Sequence, residues 1–219
     1  MSEFVVHSIP GSPFGRAVLL ALEEKGASYR LAAVPPPTLR APEHLARHPF
    51  GRVPAIEHGD FRLYETQAIL RYIDRVCAGV SLTPAAPRAA ARMDQLLNIC
   101  DWYLFQGVSN VIAFQRIVRP RLMGLAPDEA AIADAMPKAH AVFAELAKLL
   151  GTQRHFAGDA LTLADLHIAP QLDFFRQTPE WSELAGPHAN LVHWLERMNA
   201  RPSMAATTWE RVAAMAKAA

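Results

Sequence analysis

Cysteine is almost absent from this chain of 219 residues: Cys77 and Cys100 are the only two. They form no C-x-x-C pair, and no Cys/His cluster has zinc spacing, which argues against a disulfide scaffold and predicts no metal. A reduced, cytoplasmic compartment fits such cysteine usage. Long apolar runs are missing too. No stretch of about 18 apolar residues occurs, so no membrane-spanning helix is predicted. The opening residues, MSEFVVHSIPGSPFGR, lack the charged and then apolar regions of a secretory leader. Charge of one sign is equally scarce. Lys and Arg number 22 against 21 Asp and Glu, for a net charge of +1 and a pI near 7.9. That balance supplies no electrostatic footprint for nucleic acid or an anionic membrane surface. What remains is an ordinary globular composition, 51% hydrophobic and 20% charged, able to bury a sizeable core.

The first third alternates between strand and helix patterns. Phe4 to Ile9 is a short apolar run stopped by Pro10 and Gly11, the pattern of a buried strand. Arg16 to Lys25 is helical in propensity and ends at Gly26. Tyr29 to Val34 predicts a second strand, and Pro35 to Pro37 an extended loop. Pro42 to Arg47 suits a short helix with proline in its first turn. Ala55–Glu57 and Phe61–Tyr64 predict a hairpin about His58-Gly59-Asp60, and Thr66 to Val76 a helix. From Arg88 onward the pattern is almost wholly helical. One long helix carries Met93, Leu96, Leu97, Cys100 and Leu104 on one side. Another carries Ile132, Met136, Ala139, Phe143, Leu146 and Leu150, with Pro137 inside it. The predicted division is therefore a mixed domain over 1–77, a linker over 78–87 and an all-helical domain over 88–219.

Two segments carry more than fold. Thr162 and Asp165 have the spacing of a capping box, with Leu161 and Leu166 placed as a hydrophobic staple; the motif predicts a well-started buried helix and no chemistry. Residues 48–73 run loop, proline bend, strand, turn, strand, helix. That order aims backbone N–H groups and a helix N-terminus at one point, suited to a small anionic peptide or thiol.

Four motifs in order resemble one family. Gly11-Ser12-Pro13-Phe14-Gly15-Arg16 is similar to the first turn and helix of the cytosolic glutathione S-transferases. His48-Pro49-Phe50-Gly51-Arg52-Val53-Pro54 resembles their loop into a proline bend. Glu65-Thr66-Gln67-Ala68-Ile69 resembles their glutathione-binding helix start, and Thr162-Leu163-Ala164-Asp165 their second capping box. The resemblance covers essentially the whole chain and is nearest the serine-type, phi-like plant and bacterial group. It implies an α+β thioredoxin-like N-terminal domain followed by an all-α helical C-terminal domain.

It also implies roles. A cysteine thiol has a pKa of about 8.5, so an enzyme that uses the thiolate of glutathione must stabilise it; two pH units correspond to about 2.7 kcal/mol. Ser12 is the implied hydroxyl donor to that thiolate. Read without the resemblance, Ser12-Pro13 is equally a helix cap and first residue. Ser8 and Arg16 are weaker competitors for the thiolate. Val53-Pro54 is implied to be cis, with Val53 pairing the cysteinyl backbone. Glu65 and Thr66 would take the γ-glutamyl end, or simply start a helix. Phe14, Arg40 and Arg52 complete the implied glutathione contacts, either arginine being alternatively a solvated charge. Leu39 stands where phi-like members often have histidine.

Phe50 occupies the position of an aromatic knob and is the implied homodimer contact. Trp102, Tyr103, Phe105, Phe114, Arg116, Met123 and Trp209 are the acceptor-pocket candidates, with packing in the core as their plainer role. Neither cysteine follows the first strand, which disfavours thiol–disulfide exchange. The implied activity is conjugation of glutathione to small hydrophobic electrophiles in detoxification. A glutathione-dependent isomerase, dehalogenase or ether-cleaving enzyme, or a non-catalytic glutathione-binding protein, is the alternative.

Overall fold

The computed structural model describes residues 3–218. The chain forms two compact units, Met1–Thr83 with Ala200–Ala219, and Pro84–Asn199.

The first unit is built on a four-stranded sheet of order β2-β1-β3-β4. The strands are β1 (Phe4–Ser8), β2 (Tyr29–Ala33), β3 (Ala55–His58) and β4 (Phe61–Tyr64). β1 runs parallel to β2 and antiparallel to β3, which pairs antiparallel with β4. Register puts Val6 beside Leu31 and Ile56, and all three are buried. The same register lines up Val5, Arg30, Glu57 and Arg62 on the other face, so the period-two alternation of the strands decides which side is core. Helix α1 (Pro13–Lys25) buries Ala17 to Leu22 in an unbroken run and packs on β1 and on α3 (Thr66–Val76). A left-handed Gly26, φ 60°, ends α1, as its sequence predicts. α3 has the bounds expected for it, and the short α2 (Pro42–Leu45) begins with proline.

Pro36–Thr38 is a 3₁₀ turn, where a fully extended loop is predicted. Proline's fixed φ suits that turn, and its missing N–H is not needed in the first positions. Thr38 closes it, donating its N–H and its hydroxyl to the Pro35 carbonyl, both at 2.8 Å.

The boundary between the units falls inside the predicted linker, but residues 200–219 group with the first unit and not with the rest of 88–219. Long-range polar contacts explain this. Arg201 reaches Glu24 through two hydrogen bonds of 2.8 and 2.7 Å, and Ser203 bonds the same carboxylate. α10 (Pro202–Ala206) packs on α1, and α11 (Trp209–Ala218) on β2. The linker is tied down as well. Asp74 accepts from the Leu82 N–H at 2.8 Å, the Thr83 hydroxyl at 2.7 Å and Lys25 Nζ at 2.8 Å, and Lys25 also donates to the Val80 carbonyl.

In the second unit α4 (Pro87–Ile99) runs into a π-helical stretch, Cys100–Ser109, where one continuous helix is predicted. Cys100, Leu104 and Val108 are all buried; their spacing of four is kept in line by the wider turn. A second π-helical stretch, Phe114–Val118, leads to α5 (Arg119–Met123). α6 (Glu129–Leu150) buries the expected stripe except Met136, which is half-buried, and contains Pro137. α8 (Trp181–Ala185) and α9 (Ala189–Asn199) follow the central helix α7 (Leu163–Phe175). α7 is buried on every side from Leu163 to Leu172. Its capping box is complete: Asp165, 0% exposed, accepts the Thr162 N–H at 2.9 Å and the Thr162 hydroxyl at 2.9 Å. The carboxylate also takes the Phe156 N–H at 3.0 Å and the Trp194 indole N–H at 3.1 Å.

Candidate functional site

Sheet register gathers the implied site. Ser8 ends β1 beside Ala33, the end of β2; His7 lies beside Ala55, the start of β3; Ala55 lies beside Tyr64, the end of β4. The segments leaving that one end of the sheet are therefore the Ser12 turn, the loop carrying Arg40, the Val53-Pro54 bend and the Glu65-Thr66 helix start.

Ser12 follows a tight turn in which its N–H donates to the Ile9 carbonyl at 3.0 Å and Gly11 takes φ 90°. It caps α1: Oγ accepts from the Gly15 N–H at 3.2 Å. A hydroxyl has one proton and two lone pairs, so this bond uses acceptor capacity and leaves the O–H proton to be donated elsewhere. The cap and the donor readings of Ser12 are thus compatible. The first turn of α1 holds no acidic side chain, so nothing in it offsets the positive end of the helix dipole. Gly15 is required by space, because a Cβ there would lie 1.9 Å from Ser8 Oγ. Phe14 is half-buried in the same first turn.

The Val53-Pro54 peptide is cis, as the resemblance implies. The loop before it is held by His44, whose Nε2–H donates to the Arg52 carbonyl at 2.8 Å, and by the Gly51 N–H to the His48 carbonyl at 2.9 Å. Arg40 lies across Gly51, its Cδ 3.1 Å from where a Cβ would stand, next to the exposed Arg52. Both arginines are thus at the bend. Phe50 is 60% exposed, its ring edge-on to His48 and Tyr64 at centroid distances of 6.1 and 6.2 Å. His48 is itself buried, and burial lowers its pKa, assisted by His44 and Arg52. The sequence assigns His44 and His48 no part. Their spacing of four from the short α2 into the loop was the available sign.

Glu65 precedes α3 with φ 71° and ψ 115°, the one positive φ outside glycine among the described residues. Such backbone costs about 1–3 kcal/mol and concentrates at functional sites. Its side chain makes no cap bond, Thr66 is buried, and the first turn again holds no acidic residue.

The acceptor-pocket candidates fare unevenly. Trp102 and Tyr103 are exposed on the first π-helical stretch, Phe105 and Phe114 are half-buried, and Met123 is exposed at the end of α5. Arg116 binds Glu129 through two bonds of 2.6 and 2.8 Å and Glu180 at 2.8 Å, so its donors are engaged with carboxylates of its own unit. Trp209 lies in the first unit, against Gly11.

Both cysteines are buried, and burial pushes both thiols up, which suits inert side chains. Cys100, Asp101 and His167 do converge, their ligand-type atoms within 4.8 Å. His167 Nε2 is already paired with Asp101 Oδ1 at 2.6 Å, and Cys100 donates to the His167 carbonyl at 3.5 Å.

Comparison with known proteins shows what the chain is similar to. Residues 2–75 match the family model of the glutathione S-transferase N-terminal domain, and 109–202 that of its C-terminal domain. Glutathione S-transferase F12 of Arabidopsis thaliana is 30% identical over 203 residues, 91% of this chain and 92% of the relative. Glutathione S-transferase 3 of Zea mays is 33% identical over 213 residues, 94% of each. Among solved structures, glutathione transferase F7 from Populus trichocarpa superposes with a TM-score of 0.83 at 27% identity, over 97% of this chain and 99% of that one. Glutathione S-transferase-I bound with lactoylglutathione superposes with 0.84 at 27% identity, over 98% and 100%.

Proposed function

The chain belongs to the glutathione S-transferase family, and on that premise we propose that it is a serine-type, phi-like glutathione transferase binding its co-substrate at the common end of the sheet. One observation carries the assignment to place: register delivers Ser12, Val53-Pro54 and Glu65-Thr66 to that end from three different strands.

In this reading the Ser12 hydroxyl donates a hydrogen bond to the thiolate and keeps its proton, while the Gly15 N–H holds the oxygen from behind. The open N-terminus of α1 adds favourable potential. Together they supply the roughly 2.7 kcal/mol that a two-unit depression of the thiol pKa represents. Val53 pairs the cysteinyl backbone, Glu65 takes the γ-glutamyl amine, and Thr66 with the N–H groups of α3 takes its carboxylate. Arg40 and Arg52 face the glycyl carboxylate, and Phe14 lines the same turn. The thiol proton passes to solvent on binding. The thiolate then attacks the electrophilic carbon of a small apolar acceptor, and the leaving group departs with its bonding pair. The enzyme's share is proximity and thiolate stabilisation. Trp102, Tyr103, Phe105, Phe114 and Met123 supply apolar surface for the acceptor.

The working form is a cytoplasmic homodimer with Phe50 as its knob. An exposed phenylalanine on a loop braced by His48 and Tyr64 is pre-ordered for insertion into a second subunit. Sedimentation of wild type as a dimer and of Phe50→Ala as a weaker one is expected; a wild-type monomer at micromolar concentration would remove that part. Ser12→Ala should cut kcat/KM toward a chloronitrobenzene-type acceptor about ten- to a hundredfold. Full activity in that variant would end the assignment of Ser12.

A further inference from the structure

We propose that Trp209 is a positioning residue for Ser12, so that the C-terminal segment holds the thiolate-stabilising hydroxyl in place. The inference rests on the role given to Ser12 above.

The C-terminal segment grips the Ser12 turn on both sides. Before Ser12, Gly11 lies on the indole of Trp209. A Cβ at Gly11 would stand 2.8 Å from Trp209 Cε2 and 2.9 Å from Cδ2 and Cζ2, over the ring fusion. Gly11 also has φ 90°, a conformation side chains rarely adopt. The turn is therefore shaped for direct contact between backbone and indole. After Ser12, Arg16 donates its N–H to the Ser12 carbonyl at 2.9 Å. Its guanidinium reaches the Met204 carbonyl at 3.1 Å and the Thr207 hydroxyl at 3.4 Å, and Thr207 is fully buried.

The segment that makes these contacts is itself anchored. Arg201 and Ser203 hold Glu24 at the far end of α1, Thr207 Oγ1 donates to the Ser203 carbonyl at 2.8 Å, and Val212 is buried in α11. Trp209 thus stands on a support fastened along α1, and it presses on the residue next to Ser12. The Ser12 cap rests on one bond of 3.2 Å and the turn before it on one of 3.0 Å, so the hydroxyl tolerates little movement. A donor must be held within about 0.5 Å to act on developing charge. Removing the indole frees the turn from Ile9 to Ser12 and lets the Oγ–H direction wander. Trp209 then acts on the thiol through Ser12, a role distinct from lining an acceptor pocket.

The two roles separate in the pH dependence of bound glutathione. Four full-length proteins are compared: wild type, Trp209→Ala, Ser12→Ala and the double variant. The thiol pKa in the binary complex is read from thiolate ultraviolet absorbance, beside kcat, both KM values and thermal unfolding. Ser12→Ala should lower the thiolate fraction at neutral pH about tenfold, and Trp209→Ala about threefold in the same direction with glutathione KM little changed. The double variant should match Ser12→Ala alone, because a residue acting through Ser12 adds nothing once Ser12 is gone. Trp209→Phe should restore most of the loss. Should Trp209→Ala fail to fold, Trp209→Leu gives the same reading. A raised acceptor KM with an unmoved thiol pKa would make Trp209 a pocket wall and overturn the inference, as would additive effects in the double variant. An unmoved thiol in Ser12→Ala would instead overturn the role of Ser12 itself.

Discussion

Helices α1 and α7 both begin at a hydroxyl residue, Ser12 in one unit and Thr162 in the other, and they treat their ends in opposite ways. At the start of α7 the capping groups are bound within the protein. Thr162 and Asp165 cap each other, and the Asp165 carboxylate gathers N–H groups from Phe156 and Trp194 as well. At α1 a single 3.2 Å bond makes the cap, no acidic side chain joins the first turn, and Ser12 keeps a proton to give. α3 goes further, starting from a strained Glu65 whose side chain makes no cap bond. A helix start that satisfies itself stabilises the fold. One that stops short keeps capacity for a ligand, at some cost in stability.

Breaking the closed start should have the largest effect. Asp165→Ala strands the Phe156, Thr162 and Trp194 N–H groups in a dry interior, and a loss of about 4 kcal/mol in urea unfolding is expected. If that variant were no less stable than Ser12→Ala, the contrast between the two helix starts would collapse. Gly15→Ala comes next. Its methyl would overlap Ser8 Oγ, costing about 2 kcal/mol and displacing the N–H that Ser12 accepts. Activity should fall with stability, and Ser8→Ala placed beside it should recover part of both.

Acid should then weaken the first unit in two stages. Burial lowers the pKa of His48, and burial with Arg47 lowers that of His7 against the opposing pull of Glu57. Their unfolded values lie near 6.5, so on acidification the unfolded chain takes up protons first. The contribution of the two histidines is complete above that pH and declines below it, by at most about 1.4 kcal/mol per pH unit for each. Burial would raise Asp74, but the Leu82 N–H, Lys25 and the Thr83 hydroxyl together hold it below the ordinary carboxylate range. Its contribution is present above about pH 3.9 and is lost as pH falls through the lower folded value. Urea midpoints measured against pH should show His48→Phe with a shallower decline between neutrality and pH 5 than wild type; identical slopes would exclude His48. The smallest stability change is expected at Ser12→Ala, about 1 kcal/mol or less, beside its much larger loss of activity.

The local half of this contrast was legible in the sequence. Strand alternation, Gly26 and the bounds of α3 follow from periodicity and turn chemistry, and the Thr162–Asp165 box from spacing alone. Ser12-Pro13 was readable as a cap, and the resemblance added the donor role; one hydroxyl has the capacity for both. What could not be read depends on partners far along the chain. Arg116 looks like a free cation until Glu129 and Glu180 are placed around it. The return of residues 200–218 rests on Arg201 finding Glu24, 177 positions away, which no local pattern announces. The π-helical turns after Ile99 hide behind a buried spacing that an ordinary helix nearly satisfies.

That return has a consequence in time. A ribosome emits the chain from its N-terminus, so the sheet, α1 and the linker emerge early and can begin to assemble. Their unit still lacks the Arg201 and Ser203 that bind Glu24, the Met204 carbonyl that the Arg16 guanidinium reaches and the indole over Gly11. All of Pro84–Asn199 must be synthesised before those arrive. The Ser12 turn is among the first features translated and among the last to be locked.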